Sequence, residues 1–82
     1  MQALIVLETK NAKDEEMWLS ISRVPGVDGA LFLDKGVVIV RTSFVDIGYL
    51  NQAVRSIRSF EFVKSTRTRI VLTRLEGQAT QP

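Results

Sequence analysis

The chain has 82 residues, no cysteine and no histidine, and a formal net charge of +2. This length sets the expectation of one domain. The absence of cysteine excludes a disulfide framework or thiolate metal site, and the absence of histidine removes both the usual general base near neutral pH and the commonest metal ligand. The charge is uneven: residues 1–50 carry five basic and seven acidic side chains, and residues 51–82 carry six basic and two acidic. Such asymmetry can mark an anionic partner, although more often it only distinguishes one face from another.

The amino terminus reads Met-Gln-Ala, and the apolar run that follows ends at Glu8. It has no basic leader and is too short for a signal segment or a membrane span. The expectation is a soluble cytoplasmic protein with no membrane association. "ALIVL" (3–7) is short, β-branched and apolar on both parities, which predicts a strand buried on both faces. "NAKDEEMWLSISRV" (11–24) changes period. Asn11 is a candidate N-cap, Asp14, Glu15 and Glu16 suit the positive end of a helix dipole, and Met17, Ile21 and Val24 form one apolar stripe. Pro25-Gly26 ends that helix.

"GALFL" (29–33) and "VVIV" (37–40) flank Asp34-Lys35-Gly36, the spacing of a tight β-hairpin in which Gly36 takes a positive φ. A second helix follows, capped by Ser43 or Asp46, with Ile47, Leu50, Val54 and Ile57 on one face and Ala53 at its edge. "FVKSTRTRIVLTRL" (62–75) predicts the last strand. Residues 1–75 then make one domain, and "EGQATQP" (76–82) is expected to be a flexible polar tail. The order β-α-β-β-α-β is the signature of an α+β ferredoxin-like sandwich with an antiparallel sheet. Its central strands should be the first and third, which are here the most uniformly apolar.

In such a layer both helices cover one face of the sheet, so the other face should be polar at alternate positions. Three of the strands are instead apolar on both parities, leaving more apolar surface than monomers usually expose. A second copy packed sheet to sheet about a two-fold axis resolves this, as in a dimeric α/β barrel. The interface is assigned to Ile5, Leu7, Leu31, Leu33, Val38, Val40 and Val71. Leu19 and Tyr49 lie off their helices' stripes and mark a further candidate contact surface.

"KSTRTRIVLTR" (64–74) contains Lys64, Arg67, Arg69 and Arg74 and no acid. As a strand it splits by parity: Thr66, Thr68, Ile70 and Leu72 point one way, and Ser65, Arg67, Arg69, Val71 and Thr73 the other. Arg67 and Arg69 converge, and Arg55 and Arg58 on the preceding helix can join them. The interleaved aromatics of a single-strand binder are missing, as are helix-turn-helix and zinc-finger patterns, and charged side chains are also how edge strands resist stray pairing. Direct DNA binding is therefore not expected. Nor is catalysis: the only acidic cluster, Asp14-Glu15-Glu16, starts a helix, the serines have no histidine to activate them, and no glycine-rich phosphate loop occurs. No catalytic residue, metal ligand or cofactor is assigned.

"VPGV" (24–27), "LNQAV" (50–54) and "VKSTRTRIVL" (63–72) resemble the effector-binding, or RAM, domain of the Lrp/AsnC transcription regulators, over about residues 2 to 75. The resemblance implies a βαββαβ domain that dimerises through its sheets and assembles further into tetramers or octamers. It also implies amino-acid-like effectors bound in clefts between dimers. By position the effector contacts would be Asp34, Lys35 and Gly36 in the hairpin, with Ser65, Thr66 and Thr68 in the last strand. Two departures stand out. The family's DNA-binding helix-turn-helix domain does not precede the first strand here, so the chain resembles a stand-alone effector domain whose partner could be a full-length regulator of that type. The hairpin is also about two residues shorter than the family's and lacks the acid that precedes its third strand.

These residues support a non-catalytic effector-binding and oligomerisation module. The competing reading is a ferredoxin-like peptide-binding chaperone for signal peptides, which would expose a strand edge or an apolar sheet face as a monomer.

Overall fold

In a computed structural model, which describes residues 1–75 and Gly77, the chain forms a four-stranded antiparallel sheet with two helices. The elements are β1 (Gln2–Thr9), α1 (Asp14–Ile21), β2 (Val27–Phe32), β3 (Val37–Ser43), α2 (Ile47–Arg58) and β4 (Val63–Ile70), and the strand order is β2-β3-β1-β4. This is the expected ferredoxin-like α+β fold, with the first and third strands in the centre.

Strand register decides which side chains meet the helices. Ala3, Ile5 and Leu7 of β1 pair with Thr42, Val40 and Val38 of β3 on one side, and with Ile70, Thr68 and Thr66 of β4 on the other. Directly paired residues share a face, so this set lines the helix side. Ala3, Ile5, Leu7, Val38 and Val40 are fully buried there with Met17, Ile21, Val24, Leu50, Ala53 and Ile57. Ala30 and Phe32 pair with Val40 and Val38 and pack against the same core.

This corrects the assigned interface at four positions. Ile5, Leu7, Val38 and Val40 are core residues beneath the helices, since the opposite parity of each strand faces outward. Leu31 and Leu33 do lie on the open face, 62% and 47% exposed. Val71 continues the open-face parity opposite Gln2, to whose carbonyl its N–H donates at 2.9 Å.

The helices start where local chemistry allows. The α2 cap is Asp46, whose carboxylate accepts the Tyr49 N–H at 3.2 Å. The cap position of α1 is Lys13, with no side-chain bond. Asn11 is not the cap: it turns the chain with φ 48°, a left-handed conformation that asparagine tolerates well. Ile47 leaves the predicted stripe and is 50% exposed, while Leu50, Ala53 and Ile57 are buried. β4 ends at Ile70, earlier than residues 62–75 predict, because β1 begins at Gln2 and offers no further strand to pair with. The predicted tail, apart from Gly77, lies outside the described residues.

Candidate functional site

The β2–β3 connection is a tight turn, Asp34–Gly36, in which Lys35 (φ 58°) and Gly36 (φ 75°) are both left-handed. Two consecutive positive φ values match the twist of an antiparallel hairpin. A Cβ on Gly36 would stand 2.9 Å from the Thr9 carbonyl oxygen, and the Thr9 hydroxyl donates to the Gly36 carbonyl at 2.9 Å. The end of β1 is thereby fastened to the turn.

Thr9 pairs with Val63 and Glu8 with Ser65, so the turn and the start of β4 lie at the same end of the sheet. The strand between them holds them about 10 Å apart, two strand spacings. The Ser65 hydroxyl donates to the Glu8 carboxylate at 2.6 Å on the open face. Thr66 and Thr68 point the other way, half-buried beside Leu7 and Ile5. The six assigned effector positions thus lie toward one end of the sheet but on opposite sides of β1, and they do not form one pocket. Any ligand that met both Ser65 and Thr66 would have to wrap the β4 edge. Glu8 and Thr9 tie this region together and were not singled out in the sequence. The available signal was an acid ending an apolar strand.

The open face itself is a grid. One transverse row reads Leu31, Ile39, Val6, Arg67, and the next Gly29, Arg41, Leu4, Arg69. Apolar side chains predominate across β2, β3 and β1, interrupted by Arg41, and arginines line the β4 edge. Arg41 lies over Gly29, its guanidinium 3.0 Å from where a glycine Cβ would stand. Leu4, Val6, Val37 and Ile39 are half-buried by their neighbours, and neither helix covers them.

A half-open groove of about 680 Å³ lies at the opposite end of the sheet, lined in part by Pro25, Ser43, Phe44, Val45, Tyr49 and Gln52. Tyr49, marked in the sequence for lying off its helix stripe, is on its wall. A shallower recess of about 630 Å³ is lined by Lys10, Asn11, Ala12, Glu61 and Phe62. None of the six assigned effector residues lines either. Among the described residues no buried side-chain nitrogen or oxygen lacks a partner, no acidic cluster is arranged to hold a metal ion, and no helix is long and apolar enough to cross a membrane.

No protein-family model matches the chain, and no characterised protein matches it in sequence. Solved structures do match. A transcriptional regulator of Neisseria meningitidis in complex with L-Met superposes with a TM-score of 0.78 at 22% identity, over 99% of this chain and 55% of that one. AsnC of E. coli gives 0.77 at 20% identity, over 99% of this chain and 56% of that one. The chain therefore spans little more than half the length of these regulators. The E. coli Tat proofreading chaperone NapD gives 0.74 at 20% identity, over 100% of this chain and 87% of that one. At these identities the likeness is one of fold. The fold implied by the Lrp/AsnC resemblance is found, and regulators of that kind share it across nearly the whole chain.

Proposed function

We propose that the chain is a non-catalytic module that self-associates through the open face of its sheet and binds an amino-acid-like effector, in the service of a transcription regulator of the Lrp/AsnC kind. One observation carries this reading. A contiguous apolar surface of Leu4, Val6, Leu31, Leu33, Val37 and Ile39 lies on the side of the sheet that no helix covers, and a surface of that kind calls for a partner. A second copy about a two-fold axis supplies a matching face. The fold shared with a regulator crystallised with L-Met supports the effector class, and the sheet end that carries Glu8, Ser65 and the Asp34–Gly36 turn is where this reading places the effector. Binding would act by shifting association, since a ligand that prefers one assembly state must favour that state.

Size-exclusion chromatography with light scattering, on dilute protein with and without a pool of amino acids, tests both halves. A dimer or larger species is expected at low micromolar concentration, with a further shift when the pool is added. A monomer unmoved by the pool overturns the reading.

A second reading, a peptide-binding chaperone, is favoured by the near full-length likeness to NapD. It predicts a monomer whose melting temperature rises with peptide and not with amino acids.

A further inference from the structure

The outer edge of β4 is unpaired within the sheet, because β4 is the terminal strand of the order β2-β3-β1-β4. Val71 N–H bonds to the Gln2 carbonyl, and in an antiparallel ladder hydrogen-bonded pairs recur at every second residue. Arg69, Arg67 and Ser65 therefore direct their backbone groups inward to β1. Thr66, Thr68 and Ile70 direct theirs outward, presenting a ladder of three donors and three acceptors at one edge. The pairing from Ala3↔Ile70 to Glu8↔Ser65 runs without a register shift, and the shift that follows leaves Lys64 as a bulge that bounds the regular edge.

The side chains along the edge carry one sign. Residues 62–75 contain Lys64, Arg67, Arg69 and Arg74 and no acid. Arg67 and Arg69 are exposed side by side on the open face. A second copy of β4 added antiparallel here would set arginine near arginine, which is unfavourable in cross-strand pairs. A basic peptide would meet the same repulsion. An incoming strand with carboxylates at alternate positions would place them opposite Arg67 and Arg69, at cross-strand distances of about 5 Å. Nucleic acid shares the charge complementarity but wants a stacking platform. The open face has none: Phe32 and Phe44 pack on the helix side, Trp18 and Tyr49 belong to the helices, and Phe60 and Phe62 stack on each other before β4.

From this edge we infer that the protein takes an extended acidic segment of a partner protein as a fifth strand along β4. Backbone groups at Thr66, Thr68 and Ile70 supply the ladder, and Arg67 and Arg69 select acids at alternate positions. This goes beyond the proposed self-association, which uses the β2–β3–β1 half of the face.

The test is fluorescence anisotropy with a labelled ten-residue peptide alternating Glu with Val or Thr, against the same peptide with Lys for Glu and against a single-stranded oligothymidylate. The full chain should bind the Glu peptide and not the Lys peptide. The Arg67→Glu/Arg69→Glu double variant, confirmed folded by its circular dichroism melt, should lose about tenfold or more in affinity as two cross-strand charge pairs become repulsive. Amide hydrogen exchange is the second readout: Thr66 and Thr68 should gain protection with the peptide. Equal binding of the Lys peptide, preference for the oligonucleotide, no binding, or binding without protection of Thr66 and Thr68 would each overturn the proposal.

Discussion

The Thr9 hydroxyl donates to the Gly36 carbonyl, while the Thr9 carbonyl oxygen sits 2.9 Å from where any Cβ at position 36 would be. The end of β1 and the hairpin turn are thus in contact through backbone that only glycine permits. Gly36→Ala would force both a steric approach and a strained φ of 75°, and should cost about 1–3 kcal/mol. Lys35 is also left-handed, at φ 58°, so Lys35→Gly should be neutral or stabilising by up to about 1 kcal/mol. Urea denaturation of the two variants beside the parent chain checks both signs.

Thr42 is a buried polar side chain, 1% exposed, and its hydroxyl donates to the Ala3 carbonyl at 3.2 Å. That carbonyl already lies on the β1–β3 ladder. Thr42→Val keeps the volume and forfeits a bond worth about 1 kcal/mol. Thr42→Ala additionally leaves a cavity and should lose more. Thermal melts that placed Val below Ala would show that the hydroxyl matters more than the packing.

The α2 helix offers a graded test along one element. Ile57 is fully buried, so Ile57→Ala should cost about 2–5 kcal/mol. Asp46→Ala removes the cap on the Tyr49 N–H and should cost about 1 kcal/mol. Ile47 is half exposed, so Ile47→Ala should stay within about 0.5 kcal/mol. Denaturant midpoints for the three variants should follow that order.

These contrasts also show what the sequence made legible. Element order was readable because the apolar period changes from strand to helix and back at Asn11, Gly29, Ser43 and Phe62. Strand parity was not: Ala3, Ile5 and Leu7 are as apolar as Leu4 and Val6, so hydrophobicity alone cannot say which set faces the helices. Register with Thr42 and Thr68 settles it, and pairing is a long-range property. In β4 the alternation of threonine and arginine made parity plain, and there the split of Thr66 and Thr68 from Arg67 and Arg69 is as read. The Glu8–Ser65 contact joins residues 57 apart in sequence, beyond the reach of any local pattern. Asn11 and Ile47 were misplaced because capping and stripe patterns fit several starting points within one turn.

Parity also gives the most direct test of the open face. Ile5 and Val6 are adjacent in β1, yet Ile5 is fully buried under the helices and Val6 stands on the uncovered side in the row Leu31, Ile39, Val6, Arg67. Ile5→Glu would bury an unpaired carboxylate in the core and should prevent folding. Val6→Glu and Ile39→Glu place charge on the open face. Each alone should leave a cooperatively folded chain, since the open-face side chains are not part of the core. If two copies pack through this face, each variant should run as a monomer in light scattering at concentrations where the parent chain associates, because a two-fold interface repeats the charge on both partners. Unchanged association by both variants would move the contact to another surface. Unfolding by both would mean that the open face contributes to the monomer's own core.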